Sequence, residues 1–243
     1  MKKSLIALSL LAVVFSGCDD DPAVPVVEEK PIVLTINHTW NTQELKLKTW
    51  YTTDNGDSIY VSNLRYHINN FVLIDDAGNE YADEKYYLID FVEKPQNSLS
   101  FDLAKGKKIA KIRFTLGVAD SAVNASGALL KQFLDPMSWG MASGYINFKF
   151  EGNSPSSPTG NFYYHIGGYQ PSVATARTLT LDVPGDALEQ ILGKNTINLN
   201  LDLEDFFHSP NPIDISTLYD YETVGQPAVM ISQNFDSMFS LSK

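Results

Sequence analysis

The stretch TINLNLDL, residues 196–203, shows the cleanest alternation of apolar and polar residues in the chain. Its apolar residues, from Ile197 to Leu203, fall on one side of an extended backbone, because successive side chains of a β-strand point to opposite faces. Further strand candidates lie at 31–38, 45–49, 59–74 (one bent strand or two), 86–91, 99–103, 110–116, 146–150, 162–166 and 179–183. So many short segments predict an all-β protein, an antiparallel β-sandwich in which each sheet buries one face.

The segments between the strand candidates carry turn signals and few helix signals. DNGD at 54–57 and DDAGN at 75–79 are typical of turns between strands, and the Pro- and Ser-rich segment 152–160 predicts a surface loop. Short helices are expected at 122–134, 186–192 and 228–239. Because no linker interrupts residues 31–243, we expect them to form one domain.

The N-terminus has the pattern of an export signal. Lys2 and Lys3 precede an apolar run that ends at Phe15 and is too short to span a bilayer comfortably. The ending FSGC at 15–18 resembles a bacterial lipobox, which implies cleavage before Cys18 and lipidation of its sulfur. The alternative is an ordinary secretory signal with a leftover cysteine.

These signals divide the chain into three parts. Residues 1–17 are expected to be a lipoprotein signal peptide, and residues 18–30, which are acidic and contain prolines, a tether to the 31–243 domain. Acyl chains on the cysteine would hold the protein on a membrane. We therefore expect a lipid-anchored protein of the cell envelope, on the outer membrane and facing the periplasm or the surface.

The composition excludes several classes of function. Of 243 residues, 29 are acidic and 18 basic, so the formal net charge is −11 and the basic footprint of a nucleic-acid-binding protein is absent. One cysteine allows neither an intramolecular disulfide nor a four-cysteine zinc site. No phosphate loop, HExxH or GxSxG motif occurs, and no carboxylate pair stands out as acid and base, so we do not expect an enzyme. The acidic turns at 54–57 and 75–80 lack the spacing of a calcium loop, although they leave a structural calcium ion as an alternative.

Histidines are the side chains through which this composition could support a site. Imidazole suits a transition-metal ion, and the chain has His38, His67, His165 and His208. His38 continues the apolar face of the first strand candidate, where an imidazole needs a hydrogen-bond partner or a metal. His165 lies among aromatic residues and precedes two glycines. The competing interpretation is that each is an ordinary core or surface histidine.

Several segments together resemble the MbnP-like copper-binding domain family. They are DPMSWGMASGYINFKFEG at 135–152, FYYHIGGY at 162–169, NLRYHINNF at 63–71 and FTLGV at 114–118. The resemblance implies a secreted or periplasmic β-sandwich that binds one copper ion, Cu(I) or Cu(II). It also implies a partner, since relatives pair with methanobactin systems or with di-haem peroxidases of the cytochrome c peroxidase type. In some relatives a tryptophan near the metal is oxidised to kynurenine.

The resemblance also suggests which residues bind the ion. The family's early-strand histidine falls on His38 and the histidine of its HIGGY segment on His165. Trp139 matches the first tryptophan of a segment like MYWAWQSGY, whereas the second is Met141 here, which could be a soft thioether ligand or plain core filling. Trp40 is a second candidate for an aromatic residue near the metal, since it follows the first histidine on the same face.

Three functions remain open at this stage. The first is a copper-binding envelope lipoprotein for copper acquisition, delivery or storage, which binds the ion and does not catalyse. The second is a glycan-binding or ligand-binding β-sandwich lipoprotein, suggested by 12 Tyr, 13 Phe and 3 Trp. The third is a structural envelope protein whose metal site has been lost.

Overall fold

The fold is known from a computed structural model of the chain. It describes residues 30–94, 97–126, 128–129, 137–139, 143–184 and 195–241. The signal peptide, nearly all of the tether with Cys18, the ligand candidate Met141 and the helix expected at 186–192 lie outside the described residues. For these, the sequence-based predictions stand as predictions.

The described residues form thirteen β-strands. They are β1 (Ile32–Trp40), β2 (Gln43–Glu44), β3 (Thr49–Thr52), β4 (Ser58–Asp75), β5 (Glu80–Asp90), β6 (Asn97–Phe101), β7 (Ile109–Leu116), β8 (Ile146–Asn153), β9 (Asn161–Gly167), β10 (Arg177–Asp182), β11 (Thr196–Asp202), β12 (Asp220–Tyr221) and β13 (Phe239–Leu241). The alternating stretch at 196–203 is confirmed as β11, whose residues are alternately buried and half-buried.

Helices are few and short, as the sequence predicts. They are α1 (Ser121–Ser126), α2 (Gln226–Gln233), α3 (Phe235–Met238) and 3-10 turns at Asp102–Ala104, Pro171–Val173 and Glu204–Phe207. The single helix expected at 228–239 is two helices, and Phe239 instead begins β13. In the described residues no helix has both the length and the apolar character needed to cross a membrane.

The strands form two sheets that sandwich a common core, which confirms the predicted fold class. The smaller sheet has the order β13-β11-β1-β2, with β6 also paired to β1. The larger sheet has the order β10-β7-β4-β8-β9-β12, with β3 and β5 also paired to β4. The sheets are mixed, because β1 pairs with β11 and β9 with β12 in parallel. Both pairs join strands distant in sequence, so no hairpin forces them to be antiparallel.

One strand prediction differs from the structure, and for another the structure decides between the two alternatives. Residues 45–48, expected to be part of a strand, form the turn between β2 and β3, where Lys48 has a φ of +59° and Leu45 is buried. The apolar run 59–74, expected to be one bent strand or two, lies within one 18-residue strand, β4, whose register shifts between Asn69 and Phe71.

The aromatic residues of β8 and β9 show which side of the larger sheet faces the core. Phe148, Phe150 and Tyr164 are fully buried, and Phe148 stacks on Phe206 with 5.6 Å between ring centroids. Because side chains alternate, the intervening residues of both strands lie on the other face of the sheet. This outward face carries His165.

Candidate metal centre

The β8–β9 hairpin positions the histidine of the HIGGY segment. Lys149 pairs with His165 and Glu151 with Tyr163, so Glu151 is a diagonal neighbour of His165 on the outward face. β12 runs parallel to β9, with Asp220 opposite Tyr163. The next residue after β12, Glu222, consequently lies beside His165 from the other side.

The three side chains converge closely. His165 Nε2 lies 2.6 Å from Glu151 Oε1, and His165 Nδ1 lies 3.0 Å from Glu222 Oε1. One ligand atom from each residue falls within 4.8 Å of the others, a separation that a single metal ion can bridge. His165 is 9% exposed and the Glu222 side chain 45% exposed, so the site is open to solvent on the Glu222 side.

The first carboxylate of this group is ionised across the working pH range. Burial would raise the pKa of Glu151, but hydrogen bonds from His165 and Asn63, with the charge and hydrogen bond of Lys149, lower that pKa to about 2. Asn63 Nδ2 donates to Glu151 Oε2 over 2.7 Å, and Lys149 Nζ lies 3.1 Å from Oε1. The carboxylate is therefore held in place and carries the negative charge that attracts a cation.

Trp139 lies over the same face of the larger sheet. A Cβ built on Gly167 would stand 2.8 Å from Trp139 Cζ3, so the indole packs directly on this glycine. Gly167 follows His165 by two residues in β9 and shares its outward parity. The structure thus places the predicted metal-proximal aromatic on the same strand face as the histidine of the candidate centre.

We expect a side chain at Gly167 to dislodge the tryptophan. In Gly167→Ala the new methyl group would also lie 2.5 Å from the Tyr145 carbonyl oxygen, so the variant should lose about 1–3 kcal/mol of the free energy of unfolding and change its tryptophan emission. Urea unfolding followed by fluorescence measures both. A second change, Trp139→Leu, should recover part of the lost stability. Unchanged stability and emission in Gly167→Ala would contradict this packing.

His38 and His165 are not brought together, which corrects the expectation of a shared ion. His38 is buried on the core side of β1, where its Nε2 lies 2.9 Å from the Tyr66 hydroxyl and its ring 4.4 Å from that of Phe91. His165 projects from the opposite side of the other sheet. The layer of β4, β8 and β9 backbone lies between them, because Tyr66 faces the core and His165 faces away from it.

The other expected aromatic residue, Trp40, also belongs to the core side. It is 3% exposed, its indole N–H donates to the Thr52 carbonyl oxygen, and its ring stacks on Tyr51 at 4.9 Å. These contacts account for it as a packing residue. Like His38, it lies on the inward face of β1, away from the centre at His165.

The remaining histidines occupy separate environments. His67 is fully buried on β4, with its ring 5.6 Å from that of Tyr145. His208 directly follows the 3-10 turn Glu204–Phe207 and pairs with Glu204. Asp54, Glu204 and His208 form a second group whose ligand atoms lie within 4.8 Å of one another.

Similarity to known proteins identifies the family of this chain. A sequence model of MbnP matches residues 29–230. This chain belongs to the MbnP family. The solved structure of MbnP from Methylosinus trichosporium is similar in fold, with a TM-score of 0.54 at 14% identity over 88% of this chain and 99% of that one. No curated protein sequence matches the chain.

Sequence reasoning on this MbnP-family chain missed two of the three convergent side chains. Glu151 has a signal, since it alternates with the apolar residues of β8, and the 152–160 loop predicts the hairpin that sets it beside His165. Glu222 has none, because the two-residue strand β12 that carries it is too short for any periodicity.

The calcium alternative finds no support in the acidic turn at 75–80. The Asp75 carboxylate accepts hydrogen bonds from the backbone of Ala77 and Asn79, the Asn79 amide and the Tyr81 hydroxyl. These bonds close the turn and lower the pKa of Asp75, and the bond from the Asn79 side chain has the largest effect. Asp75 thus acts as a turn former.

Proposed function

We propose that this MbnP-family protein binds one copper ion on the outward face of its larger sheet, with His165, Glu151 and Glu222 as ligands. The convergence of these three donors is the observation that carries the proposal. Family membership supports the choice of copper, because the residues that resemble the family imply a copper-binding domain.

The three side chains can bind the ion with little rearrangement. An imidazole and two carboxylates suit a divalent transition-metal ion, so this set favours Cu(II), whereas an additional soft ligand such as Met141 would favour Cu(I). In the metal-free protein Lys149 partly compensates Glu151, and its ammonium group must turn away as the ion takes its place. The tryptophan packed on Gly167 would shield one side of the ion from water.

We propose further that the protein binds copper and does not transform a substrate, in a role of acquisition, delivery or storage. The lipobox at 15–18 supports an anchor at Cys18 and a location in the cell envelope. A di-haem peroxidase of the cytochrome c peroxidase type is the proposed partner, on the resemblance alone. The open Glu222 side of the site supports exchange of the ion with a partner.

Metal loading tests the proposal. Purified protein is incubated with excess Cu(II), or with Cu(I) under reducing anaerobic conditions, and is then dialysed and analysed for metal. We expect one tightly held copper per chain in at least one oxidation state. Loss of all copper on dialysis in both states would refute the proposal, and more than one equivalent would direct attention to Asp54, Glu204 and His208.

A further inference from the structure

A cavity lies against β1 on the far side of the molecule from the proposed copper centre. On one edge of β1, described pairing with β6 ends at Ile36 and pairing with β2 begins at Thr39, and Leu45 N–H donates to the His38 carbonyl oxygen. The cavity beside this part of β1 has a volume of about 440 Å³. This is within the range of small-molecule binding pockets, about 300–1,000 Å³.

The walls of the cavity combine an apolar part with an acidic part. Leu45, Phe91 and the ring of His38 supply the first, and the carboxylates of Glu44 and Asp202 supply the second. Among the described residues that line it there is no lysine or arginine. An aromatic ring beside two carboxylates is a surrounding that favours an organic cation.

Asp202 is held in a fixed position at this site. Its two carboxylate oxygens accept hydrogen bonds from the backbone N–H groups of Asn41 and Thr42 over 2.9 and 3.0 Å. Glu44 is by contrast open to solvent, since its side chain is 77% exposed and its ion pair with Lys46 spans 3.8 Å. A bound cation would therefore meet one carboxylate fixed by backbone hydrogen bonds and one that is solvent-exposed.

His38 is an incompletely satisfied side chain in the wall of this cavity. It is 4% exposed, Nε2 bonds to Tyr66, and Nδ1 has no hydrogen-bond partner among the described residues. A buried polar atom without a partner is destabilising, and its presence calls for an explanation. Burial lowers the pKa of His38 to about 3, so the ring is neutral and does not repel a cation.

We infer that this cavity, the His38 pocket, binds a small organic cation that carries an ammonium group on an apolar body. The ammonium group faces Glu44 and Asp202, and the body packs on Phe91 and Leu45. With Nε2 protonated toward Tyr66, Nδ1 has the lone pair that accepts a hydrogen bond from the ligand. The inference is independent of the copper centre, since the two sites share no residue.

Three probes of similar shape and different charge test the His38 pocket in metal-free protein with EDTA present. They are benzylammonium, benzyl alcohol and benzoate, titrated by calorimetry and by NMR of 15N-labelled histidine rings. We expect one benzylammonium per chain, at least tenfold tighter than benzyl alcohol, a shift of the His38 Nδ1 resonance, and no binding of benzoate. Equal affinity for the three probes, no binding of benzylammonium, or binding without a His38 shift would each overturn the inference.

An exposed carboxylate provides a variant that does not endanger the fold. Glu44→Gln should weaken benzylammonium binding about two- to fivefold, as expected for one solvent-screened charge. Glu84→Gln removes another exposed charge, on β5 and outside the pocket, and should leave the affinity unchanged. Equal effects of the two substitutions would show that only the overall charge matters and would overturn the assignment to this pocket.

Discussion

Replacing His165 by alanine should lower the affinity for copper by at least about 100-fold. The imidazole is the one nitrogen donor among the three convergent side chains, and its two ring nitrogens contact both carboxylates. Altering residues that merely support metal ligands costs about 10- to 100-fold, so removing a ligand should cost more. Competition against a chelator of known copper affinity measures the loss.

Two matched substitutions make this result specific. His208→Ala removes the imidazole of the second Asp/Glu/His group, and His38→Ala removes the other histidine that the family resemblance selects. Both should leave the affinity for the first copper within a factor of a few. If His38→Ala abolishes binding and His165→Ala does not, the ion belongs to the core side of β1 and the proposed centre is wrong.

The strands were predictable because a strand that buries one face alternates apolar and polar residues along its own sequence. The alternation at Ile197–Leu203 and in β1 follows directly from the face that each strand buries. The sequence of a strand does not show which distant strand it pairs with. The parallel pairs β1–β11 and β9–β12 therefore could not be read from periodicity.

The same difference between local pattern and long-range pairing explains which parts of the candidate site could be predicted. The alternation of side chains along a strand correctly placed His38 on a buried face. The same alternation puts His165 on the opposite face from Tyr164. A shared ion requires knowing which two faces meet, and that depends on how the sheets stack. The resemblance identified His165 as a candidate, whereas its partner Glu222 depends on β12, a contact between residues 57 positions apart.

The fold also constrains how the proposed copper centre could work. Each of the three proposed ligands comes from a different strand or strand end, and the larger sheet fixes two of them in one hairpin. Glu222 is the exposed member and follows a strand of only two residues, so it is the ligand that can move with least disturbance. Uptake and release of the ion are therefore expected on the side of Glu222.

The stability of the protein should fall steeply as the pH drops from about 6.5 towards 4.5, and His38→Gln should flatten that fall. Burial lowers the pKa of His38 to about 3, so below its ordinary value of 6.5 the unfolded chain binds a proton that the folded chain does not. The free energy of unfolding then decreases by up to about 1.4 kcal/mol per pH unit from this residue alone. Glutamine does not titrate, and urea unfolding at several pH values between 6.5 and 4.5 measures the slope.

A control variant shows whether burial or hydrogen bonding of His38 causes the pH dependence of stability. Tyr66→Phe removes the hydroxyl that His38 Nε2 contacts but leaves the imidazole buried, so it should lower stability overall and keep the steep pH dependence. The depressed pKa of Glu151 contributes a loss only between about 4.5 and 2, which is below this window. A slope unchanged by His38→Gln would mean that the ring gains a proton without unfolding the chain, and His38 would then have to reach solvent through the cavity beside β1.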